Sequence, residues 1–305
     1  MSTPIALFVT GARGQLGSDL MAGAAEAGIP AIGAGSGRLD ITDAAAVETA
    51  LAEFAAGLPV GTRGIVVNCA AYTAVDAAET DESGAFAVNV TGPENLARSA
   101  AAHGLGMIHV STDYVFPGDA TSPYEVDDPT GPRSVYGVTK LAGEQAVRAA
   151  HPGAHVVRTA WVYGAGGPNP NFVKTMALLE SKHDTITVVD DQRGSPTWSA
   201  DLASGLLELA AADLPGGVLH ATGGGETTWW GLARAVFAEL GADPDRVRPT
   251  TSDQFVRPAP RPAYSVLSPA AWVAAGLSPL PPWRDALAAA FAAHGDEFRP
   301  TPPAS

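Results

Sequence analysis

The amino-acid sequence predicts an α/β fold, a doubly wound parallel sheet followed by a smaller C-terminal substrate-binding domain. Short apolar runs alternate with longer helical patterns as far as residue 160, which is the order expected of parallel strands joined by helical crossovers. The first run leads directly into a glycine-rich loop and a helix, and the alternation breaks down after residue 160. We therefore predict a dinucleotide-binding first domain over residues 1–160, with a return segment at about 196–225, and a second domain over residues 161–195 and 226–305.

Composition and charge limit the partners that the chain can have. Of its 305 residues, 46% are hydrophobic, which is ample for a large core, and its net charge of −14 comes with no run of Lys or Arg. Nucleic acids and anionic membranes attract basic surfaces, so we expect neither as a partner. Residues Met1–Pro4 lead into a strand without a secretory signal pattern, and no apolar stretch approaches the about 20 residues of a membrane span. We predict a cytoplasmic protein.

The chain has one cysteine, Cys69, so an internal disulfide is excluded. Its apolar neighbours predict a buried residue at a strand end rather than a nucleophile.

The glycine-rich loop follows the strand Ile5–Val9 and precedes a helix. Gly11, Gly14 and Gly17 stand where a tight turn, a close approach to a pyrophosphate and helix-to-strand contact are needed. The N-terminus of the helix would offer unpaired N–H groups to the phosphates. The loop and its position predict a Rossmann-type dinucleotide site.

The end of the second strand bears on the choice of cofactor. This strand covers Pro30–Gly33, and an NAD-preferring site would usually present an acidic residue there to the adenosine ribose. The sequence has no carboxylate at this point, and Ser36 and Arg38 follow. We therefore predict NADPH, with NADH as the alternative, and a 2′-phosphate near Arg38.

Two further strands are expected to end at the cofactor. Small residues follow the third strand, Gly64–Asn68, and would let a cofactor lie across its end. After a long helix from about Gly84 to His103, the fourth strand, Met107–Val110, leads to Ser111 and Thr112. Ligands of open parallel sheets bind beyond the carboxyl ends of the strands, so these hydroxyls are expected to reach a substrate carbonyl.

A tyrosine and a lysine stand four residues apart at the start of the next predicted helix. Tyr136 and Lys140 therefore lie on one helical face. A phenol has an ordinary pKa near ~10, and an ammonium close by favours its ionised form. Such a pair suits proton transfer during reduction of a carbonyl. The spacing alone also fits an ordinary surface helix, so the choice between a catalytic pair and a surface helix depends on the other motifs.

The rest of the chain predicts shorter elements and a proline-rich stretch between residues 248 and 282. We expect a turn at 191–197, strands at 154–159, 185–189 and 218–221, and helices at 171–181, 201–212, 228–240 and 283–294.

Taken in order, the glycine loop, the Ser-Thr pair after strand four and the Tyr-Lys spacing resemble the extended short-chain dehydrogenases/reductases. The resemblance spans nearly the whole chain. More narrowly, the chain is similar to the dTDP-4-dehydrorhamnose reductases in six segments: Asn68–Asp76, Ser111–Phe116, Tyr136–Glu144, Arg158–Tyr163, Asp191–Thr197 and Arg261-Pro262.

The resemblance implies an NAD(P)H-dependent oxidoreductase that reduces the C4 carbonyl of dTDP-4-dehydro-L-rhamnose to dTDP-L-rhamnose. At the matching positions Tyr136 would donate the proton, Lys140 would hold the nicotinamide ribose and lower the pKa of Tyr136, and Thr112 would orient the carbonyl. Together with Arg38, the expected cofactor-binding residues are Gly11, Arg13, Gly14, Gln15, Leu16, Gly17, Asp40, Ile41, Ala70, Ala71, Tyr72, Thr73, Tyr136 and Lys140. The expected substrate-binding residues are Val75, Thr112, Asp113, Trp161, Asn171 and Arg261, with Gln192 as a weaker candidate.

Some members of this family have an acidic residue soon after the glycine loop that takes part in a Mg²⁺-linked dimer. Asp19 stands at that position here, one methylene shorter than Glu, and a surface Asp is the plainer interpretation. We therefore assign no metal ligand, leave Mg²⁺ open and expect a monomer or a homodimer.

Two other functions stay open. A sugar-nucleotide epimerase or dehydratase shares the fold and the Tyr-Lys pair but regenerates its nicotinamide, although Thr112-Asp113-Tyr114 lacks the Asp-Glu pair that a dehydratase would normally have. A non-catalytic regulatory subunit could keep the dinucleotide fold without needing Tyr136 or Lys140, and both are present.

Overall fold

The computed structural model describes residues 3–298. Met1 and Ser2 of the predicted first domain and residues 299–305 of the predicted second domain lie outside the described residues. The strands are β1 (Ile5–Thr10), β2 (Ala31–Ala34), β3 (Arg63–Asn68), β4 (Gly106–Thr112), β5 (His155–Thr159), β6 (Val162–Tyr163), β7 (Ile186–Val189), β8 (Arg193–Gly194), β9 (Thr197–Trp198), β10 (Gly217–His220), β11 (Thr227–Thr228) and β12 (Val247–Thr250).

The helices are α1 (Gln15–Glu26), α2 (Ala44–Ala56), α3 (Val75–Ala78), α4 (Glu82–Phe86), α5 (Gly92–Ala102), α6 (Val135–Ala150), α7 (Phe172–Glu180), α8 (Ser199–Ala211), α9 (Trp229–Glu239), α10 (Ala270–Ala274) and α11 (Trp283–Phe298). A π-helical segment, Ala87–Thr91, joins α4 to α5. Among residues 3–298, no helix is both long enough and apolar enough to cross a membrane.

A six-stranded sheet with the order β2-β1-β3-β4-β5-β10 forms the centre of the fold, and every pairing in it is parallel. The chain moves from β1 to β2 on one side and then crosses to β3 on the other, so the order reverses at β1. Such a reversal opens a crevice at the carboxyl ends of the strands. The predicted doubly wound parallel sheet is confirmed.

Both faces of this sheet are buried, as the continuous apolar run of β1 requires. Leu7 and Val9 pack with residues of α1 and α8 on one face, while Ala6 and Phe8 pack with residues of α2 and α5 on the other. The alternation follows from the two-residue period of a strand. Because both faces of β1 are packed, its carboxyl end has a fixed position.

The segments after β5 divide between two hydrophobic clusters. Helix α8 and strand β10 return to the central sheet, where Leu202 and Leu206 pack beside Leu20 of α1. Helices α7, α9 and α11 form a separate cluster around Val236 and Phe237. We keep the two-domain division, with the return segment at about 196–225, as a proposal that accounts for this arrangement.

The predicted helix from Gly84 to His103 is interrupted. Helix α4 ends at Phe86, the π-helical segment follows, and α5 begins at Gly92. Pro93 has no N–H to donate to its expected helical acceptor, the carbonyl of Asn89. The wider π-helical turn accommodates that missing hydrogen bond and turns Asn89 towards α6.

Two other segments differ from the sequence-based expectation. The predicted turn at 191–197 contains β8 and the first residue of β9, two-residue strands that pair with β11 and β6. The last helix extends to Phe298, four residues beyond its predicted end at His294, and bends at His294, whose φ is −135°.

Candidate active site

A cavity of about 710 Å³ lies beyond the carboxyl ends of β1, β3, β4 and β5. It is lined by most of the residues predicted for the site: Gly11, Arg13, Gly14, Gln15, Leu16, Gly17, Asp40, Ile41, Ala70, Ala71, Thr73, Val75, Thr112, Asp113, Tyr136, Lys140 and Trp161. Four predicted residues, Arg38, Tyr72, Asn171 and Arg261, do not line it. Their roles as ligand-binding residues stay predictions.

The glycine loop forms one end of the cavity through very close backbone packing. Gly11 has a φ of +67°, and a Cβ on it would lie 2.6 Å from the amide nitrogen of Ala70. A Cβ on Gly17 would lie 2.2 Å from the carbonyl oxygen of Gly11. Helix α1 begins after Gly14, and no side chain caps its N-terminus. Its first N–H groups are thus available to an anion, and the loop fits a dinucleotide pyrophosphate.

The two arginines near the end of β2 lie in different places. A Cβ on Gly35 would lie 3.2 Å from Cδ of Arg13, so the Arg13 side chain extends across the end of β2 and lines the cavity. Arg38 turns back, with Nη1 3.4 Å from the carbonyl oxygen of Gly33, and lines a separate groove beside α2. The Arg38 side chain thus points along the other side of the strand end, and its contact with a 2′-phosphate stays a prediction.

Helix α6 is held firmly at its N-terminus, where Tyr136 lies. Ser134 accepts a hydrogen bond from the amide of Gly137 at 3.1 Å, and Glu79 Oε1 accepts one from the amide of Val135 at 2.9 Å. A Cβ on Gly137 would lie 2.3 Å from the carbonyl oxygen of Tyr114, so only glycine lets the helix approach the end of β4 this closely. These contacts fix the position of Tyr136 in the cavity wall.

The ionisation of Tyr136 and Lys140 is governed by burial. Burial raises the pKa of Tyr136 to about 12, and the neighbouring Thr112 hydroxyl opposes that shift. Burial lowers the pKa of Lys140 to about 8, and the Glu144 carboxylate opposes that shift. The expected lowering of the Tyr136 pKa by Lys140 is not seen, because desolvation of the phenol dominates and Lys140 Nζ donates to the carbonyl oxygen of Val110 at 2.7 Å. At neutral pH Tyr136 therefore carries its proton.

The carboxyl end of β4 places two polar side chains beside Tyr136. Thr112 donates a hydrogen bond to Asp113 Oδ1 at 2.8 Å. Asp113 is buried, and its burial raises the pKa of the carboxyl to about 6. Its other oxygen, Oδ2, has no hydrogen-bond partner in the described part of the chain. That oxygen is shielded from the cavity, and the nearby Ser265 hydroxyl partly offsets the rise in the Asp113 pKa.

A buried ion pair supports these residues from behind. Glu144 lies one helical turn after Lys140 and accepts hydrogen bonds from Arg158 Nη2 at 2.8 Å and from Ser111 Oγ at 2.6 Å. The side chains of Glu144 and Arg158 are only 4% and 5% exposed. These contacts join α6 to β4 and β5. Removal of either charged partner would leave the other charge buried and unpaired, which is strongly destabilising.

Two predicted ligand-binding side chains, and the backbone of a third predicted residue, have partners within the protein. Asn171 caps α7 and donates to Gln15 Oε1 and to the Gly164 carbonyl, both at 2.7 Å. Arg261 forms an ion pair with Asp76 at 2.9 Å. The amide of Tyr72 donates to Asn89 Oδ1 at 2.8 Å. Asn171 therefore joins α7 to the glycine loop, whereas Arg261 keeps further N–H donors beyond its ion pair with Asp76.

Asp19 and Cys69 lie at the margins of the site. Asp19 Oδ2 accepts a hydrogen bond from Ser199, and burial raises the pKa of Asp19. Within residues 3–298, no three His, Cys, Asp or Glu side chains gather as a metal site. Cys69 lines the cavity and is partly exposed, rather than fully buried as predicted. Desolvation of its thiol raises the pKa to about 12, so Cys69 is a neutral thiol and not a thiolate at neutral pH.

Asn89 and Trp229 are two of several residues at or beside the site that the sequence did not predict. Asn89 is fully buried, and its side chain bonds both backbone groups of Tyr72 and the Thr139 hydroxyl, so it joins the loop after β3 to α6. The sequence signal for this role of Asn89 is Pro93, which lies inside the predicted helix and interrupts it. Trp229 lines the cavity next to Trp161. No local pattern shows that a residue 68 positions beyond Trp161 returns to this wall.

Comparisons with known proteins agree with this geometry. A family model described as the RmlD substrate binding domain matches residues 5–295. The dTDP-4-dehydrorhamnose reductase of Mycobacterium tuberculosis is 54% identical over 94% of this chain and 92% of its own length, and that of Streptomyces griseus is 53% identical over 97% and 96%. The probable dTDP-4,6-dihydroxy-2-methyloxan-3-one 4-ketoreductase of Streptomyces antibioticus is 51% identical over 93% and 94%.

A solved structure extends the agreement to the fold. The structure of dTDP-4-dehydrorhamnose reductase from Bacillus anthracis, in complex with NADP, has a TM-score of 0.88 at 33% identity and covers 96% of this chain and 100% of its own. The family model spans nearly the whole chain, and the relatives are more than half identical over almost their full length. The chain therefore belongs to the dTDP-4-dehydrorhamnose reductase family of nicotinamide-dependent oxidoreductases.

Proposed function

We propose that this chain reduces the C4 carbonyl of dTDP-4-dehydro-L-rhamnose to give dTDP-L-rhamnose, with NADPH preferred over NADH. The observation that carries the proposal is that Thr112, Tyr136 and Lys140 line the same cavity as the glycine loop. The names of the M. tuberculosis and S. griseus relatives support this substrate.

The glycine loop supports cofactor binding at one end of the cavity, and a bound nicotinamide would supply the hydride. Tyr136, whose pKa of about 12 keeps it protonated at neutral pH, donates its proton to the carbonyl oxygen as negative charge develops there. The Thr112 hydroxyl, whose single hydrogen is bonded to Asp113 Oδ1 in this structure, would turn that hydrogen towards the carbonyl oxygen to orient it. Lys140, with a pKa of about 8, is mostly an ammonium at neutral pH and offsets the charge left on the Tyr136 oxygen.

A second substrate is favoured by one relative. The S. antibioticus protein is named as a ketoreductase of a different dTDP-linked sugar, yet it is 51% identical over nearly its whole length. Reduction of another dTDP-linked 4-keto-6-deoxysugar is thus the alternative within the same chemistry. An epimerase or dehydratase would need no net supply of NADPH, and a regulatory subunit would bind NADPH without oxidising it.

The proposal is tested by product identity. The chain is incubated with NADPH and dTDP-4-dehydrorhamnose, which the preceding epimerase generates in place, and the product is identified by mass spectrometry and NMR. We expect stoichiometric NADPH oxidation and dTDP-L-rhamnose. Efficient reduction of a different dTDP-linked 4-ketosugar without any rhamnose nucleotide would contradict the substrate, and an absence of NADPH oxidation with all of them would contradict the reductase.

Arg13 is expected to select NADPH over NADH. Its side chain crosses the end of β2 and lines the cavity, where a 2′-phosphate would meet it, whereas Arg38 lines another groove. Charge-assisted contacts are worth about 1.5–3 kcal/mol, so Arg13→Ala should raise the KM for NADPH roughly 10- to 100-fold and leave that for NADH nearly unchanged. Arg38→Ala is the matched control. A selective loss in Arg38→Ala, with none in Arg13→Ala, would reverse this assignment.

A further inference from the structure

Two tryptophans stack face to face in the wall of the cavity. The ring centroids of Trp161 and Trp229 are 3.5 Å apart, and the ring planes are 5° from parallel. Trp161 follows β5 of the central sheet, while Trp229 is the first residue of α9 in the C-terminal cluster. Both line the cavity that contains Tyr136. Both indoles pack against the C-terminal cluster, so the stack is the part of that cluster that faces the site of the chemistry.

The backbone of Trp161 is strained. Its φ of +49° makes it the one non-glycine residue with a positive φ among residues 3–298. A bulky side chain rarely adopts this conformation, which persists only where the surroundings hold it. The contacts of the indole are therefore needed to keep Trp161 in place.

Both faces of the Trp161 indole are covered. A Cβ on Gly194 would lie 2.4, 2.6 and 2.7 Å from three adjacent ring atoms, Cε2, Nε1 and Cζ2, so Gly194 lies over one face. Trp229 overlaps the opposite face almost completely. No hydrogen bond from Nε1 of Trp161 occurs in the described residues, so the ring edge and its N–H are what the indole offers to a ligand.

Trp229 is itself anchored away from the cavity. Its Nε1 donates to Gln192 Oε1 at 3.1 Å, and Gln192 Nε2 donates to Ser252 Oγ at 2.8 Å. The ring of Phe172 lies 4.5 Å from that of Trp229 between centroids. Gln192, a weaker substrate candidate from the sequence, is thus already engaged in fixing Trp229.

We propose that Trp229 is a positioning residue, which clamps the Trp161 indole so that its edge and N–H face the sugar of the substrate. The inference rests on the proposed reductase function and extends it to a residue outside the Thr-Tyr-Lys set. Without the stack, the strained Trp161 backbone relaxes and the sugar loses a fixed wall opposite the reacting groups. Affinity for the sugar nucleotide then falls, whereas the cofactor, held by the glycine loop, is unaffected.

The adjacent tryptophan provides a matched control. Trp230 donates from Nε1 to the Val247 carbonyl at 3.0 Å, lies beside the Arg234 guanidinium and does not line the cavity. We compare Trp229→Leu with Trp230→Leu by steady-state kinetics and circular dichroism. Trp229→Leu should raise the KM for the sugar nucleotide about tenfold, as expected for loss of an aromatic pair, with the KM for NADPH unchanged. Trp230→Leu should change neither KM more than about twofold, because Trp230 packs on the C-terminal cluster outside the cavity.

Circular dichroism reports the stack without any turnover. Two indoles at this separation couple their transitions, so Trp229→Leu should remove the contribution of that coupling to the aromatic circular dichroism, and Trp230→Leu should keep it. The positioning role is overturned if the two variants have the same KM for the sugar nucleotide, or if Trp229→Leu weakens NADPH equally. If the wild-type chain oxidises no NADPH with any 4-ketosugar nucleotide, the proposed function itself is wrong, and the inference about Trp229 is wrong with it.

Discussion

Replacing Tyr136 with phenylalanine is expected to lower kcat by roughly a hundredfold or more, which is the usual loss when a positioned general acid is removed. The substitution removes only the phenolic oxygen. The ring that packs edge-on against Tyr114, with centroids 5.5 Å apart, is kept, as are the hydrogen bonds that cap α6. NADPH affinity, measured by fluorescence titration, and the melting temperature should therefore stay close to those of the wild type.

Tyr163→Phe is a suitable control for that experiment. Tyr163 is also buried, and its hydroxyl has no hydrogen-bond partner in the described residues. It belongs to the C-terminal cluster rather than to the cavity wall, so removal of its oxygen should leave kcat unchanged. If Tyr136→Phe retains near-normal turnover, the proton comes from another group and the proposed mechanism is wrong.

Local patterns were sufficient to predict the sheet and one end of the site. The apolar run Ile5–Val9, followed at once by three spaced glycines, predicts a strand, a phosphate loop and a helix because each feature depends on near neighbours in the sequence. The same holds for Tyr136 and Lys140, whose common face follows from helical geometry alone. These residues do line one cavity.

Features that depend on contacts distant in sequence could not be predicted in this way. Asn171 donates to Gln15, 156 residues earlier, and Arg261 pairs with Asp76, so their engagement within the protein is invisible locally. Arg13 lies in the glycine loop after β1 and Arg38 in the loop after β2, and the choice between them depends on which side chain crosses the end of β2 towards the cavity. The presence or absence of a carboxylate at the end of the second strand does not show which arginine meets the cofactor.

The pKa of Tyr136 shows the same limit for electrostatics. The spacing from Lys140 predicts a lowered pKa, since it counts only the attraction between phenolate and ammonium. Desolvation depends on everything that surrounds the phenol, and here it raises the pKa to about 12. The correction favours reduction, because a general acid has to hold its proton before the hydride arrives.

Gly143 is the point where α6 approaches the π-helical segment most closely. It lies between Lys140 and Glu144 on α6, and a Cβ there would be 2.0 Å from the carbonyl oxygen of Asn89. Backbone atoms on both sides form this contact, so no side chain can rotate away to relieve it. An added methyl group has to push the helix off Asn89, and Tyr136 and Lys140 move with it.

Gly143→Ala is therefore expected to lower kcat about a hundredfold, since a displacement near 1 Å of catalytic groups has effects of that size. The unfolding free energy should also fall by about 1–3 kcal/mol from overpacking. Helix propensity alone predicts the opposite sign, because alanine is better than glycine by roughly 1 kcal/mol in a helix. Gly295→Ala, which follows the bend of α11 at His294 and has nothing within 4 Å of the added Cβ, is a control for the methyl group itself and should leave kcat unchanged. Equal kcat and stability in the two variants would mean that contact with Asn89 does not hold α6 in place.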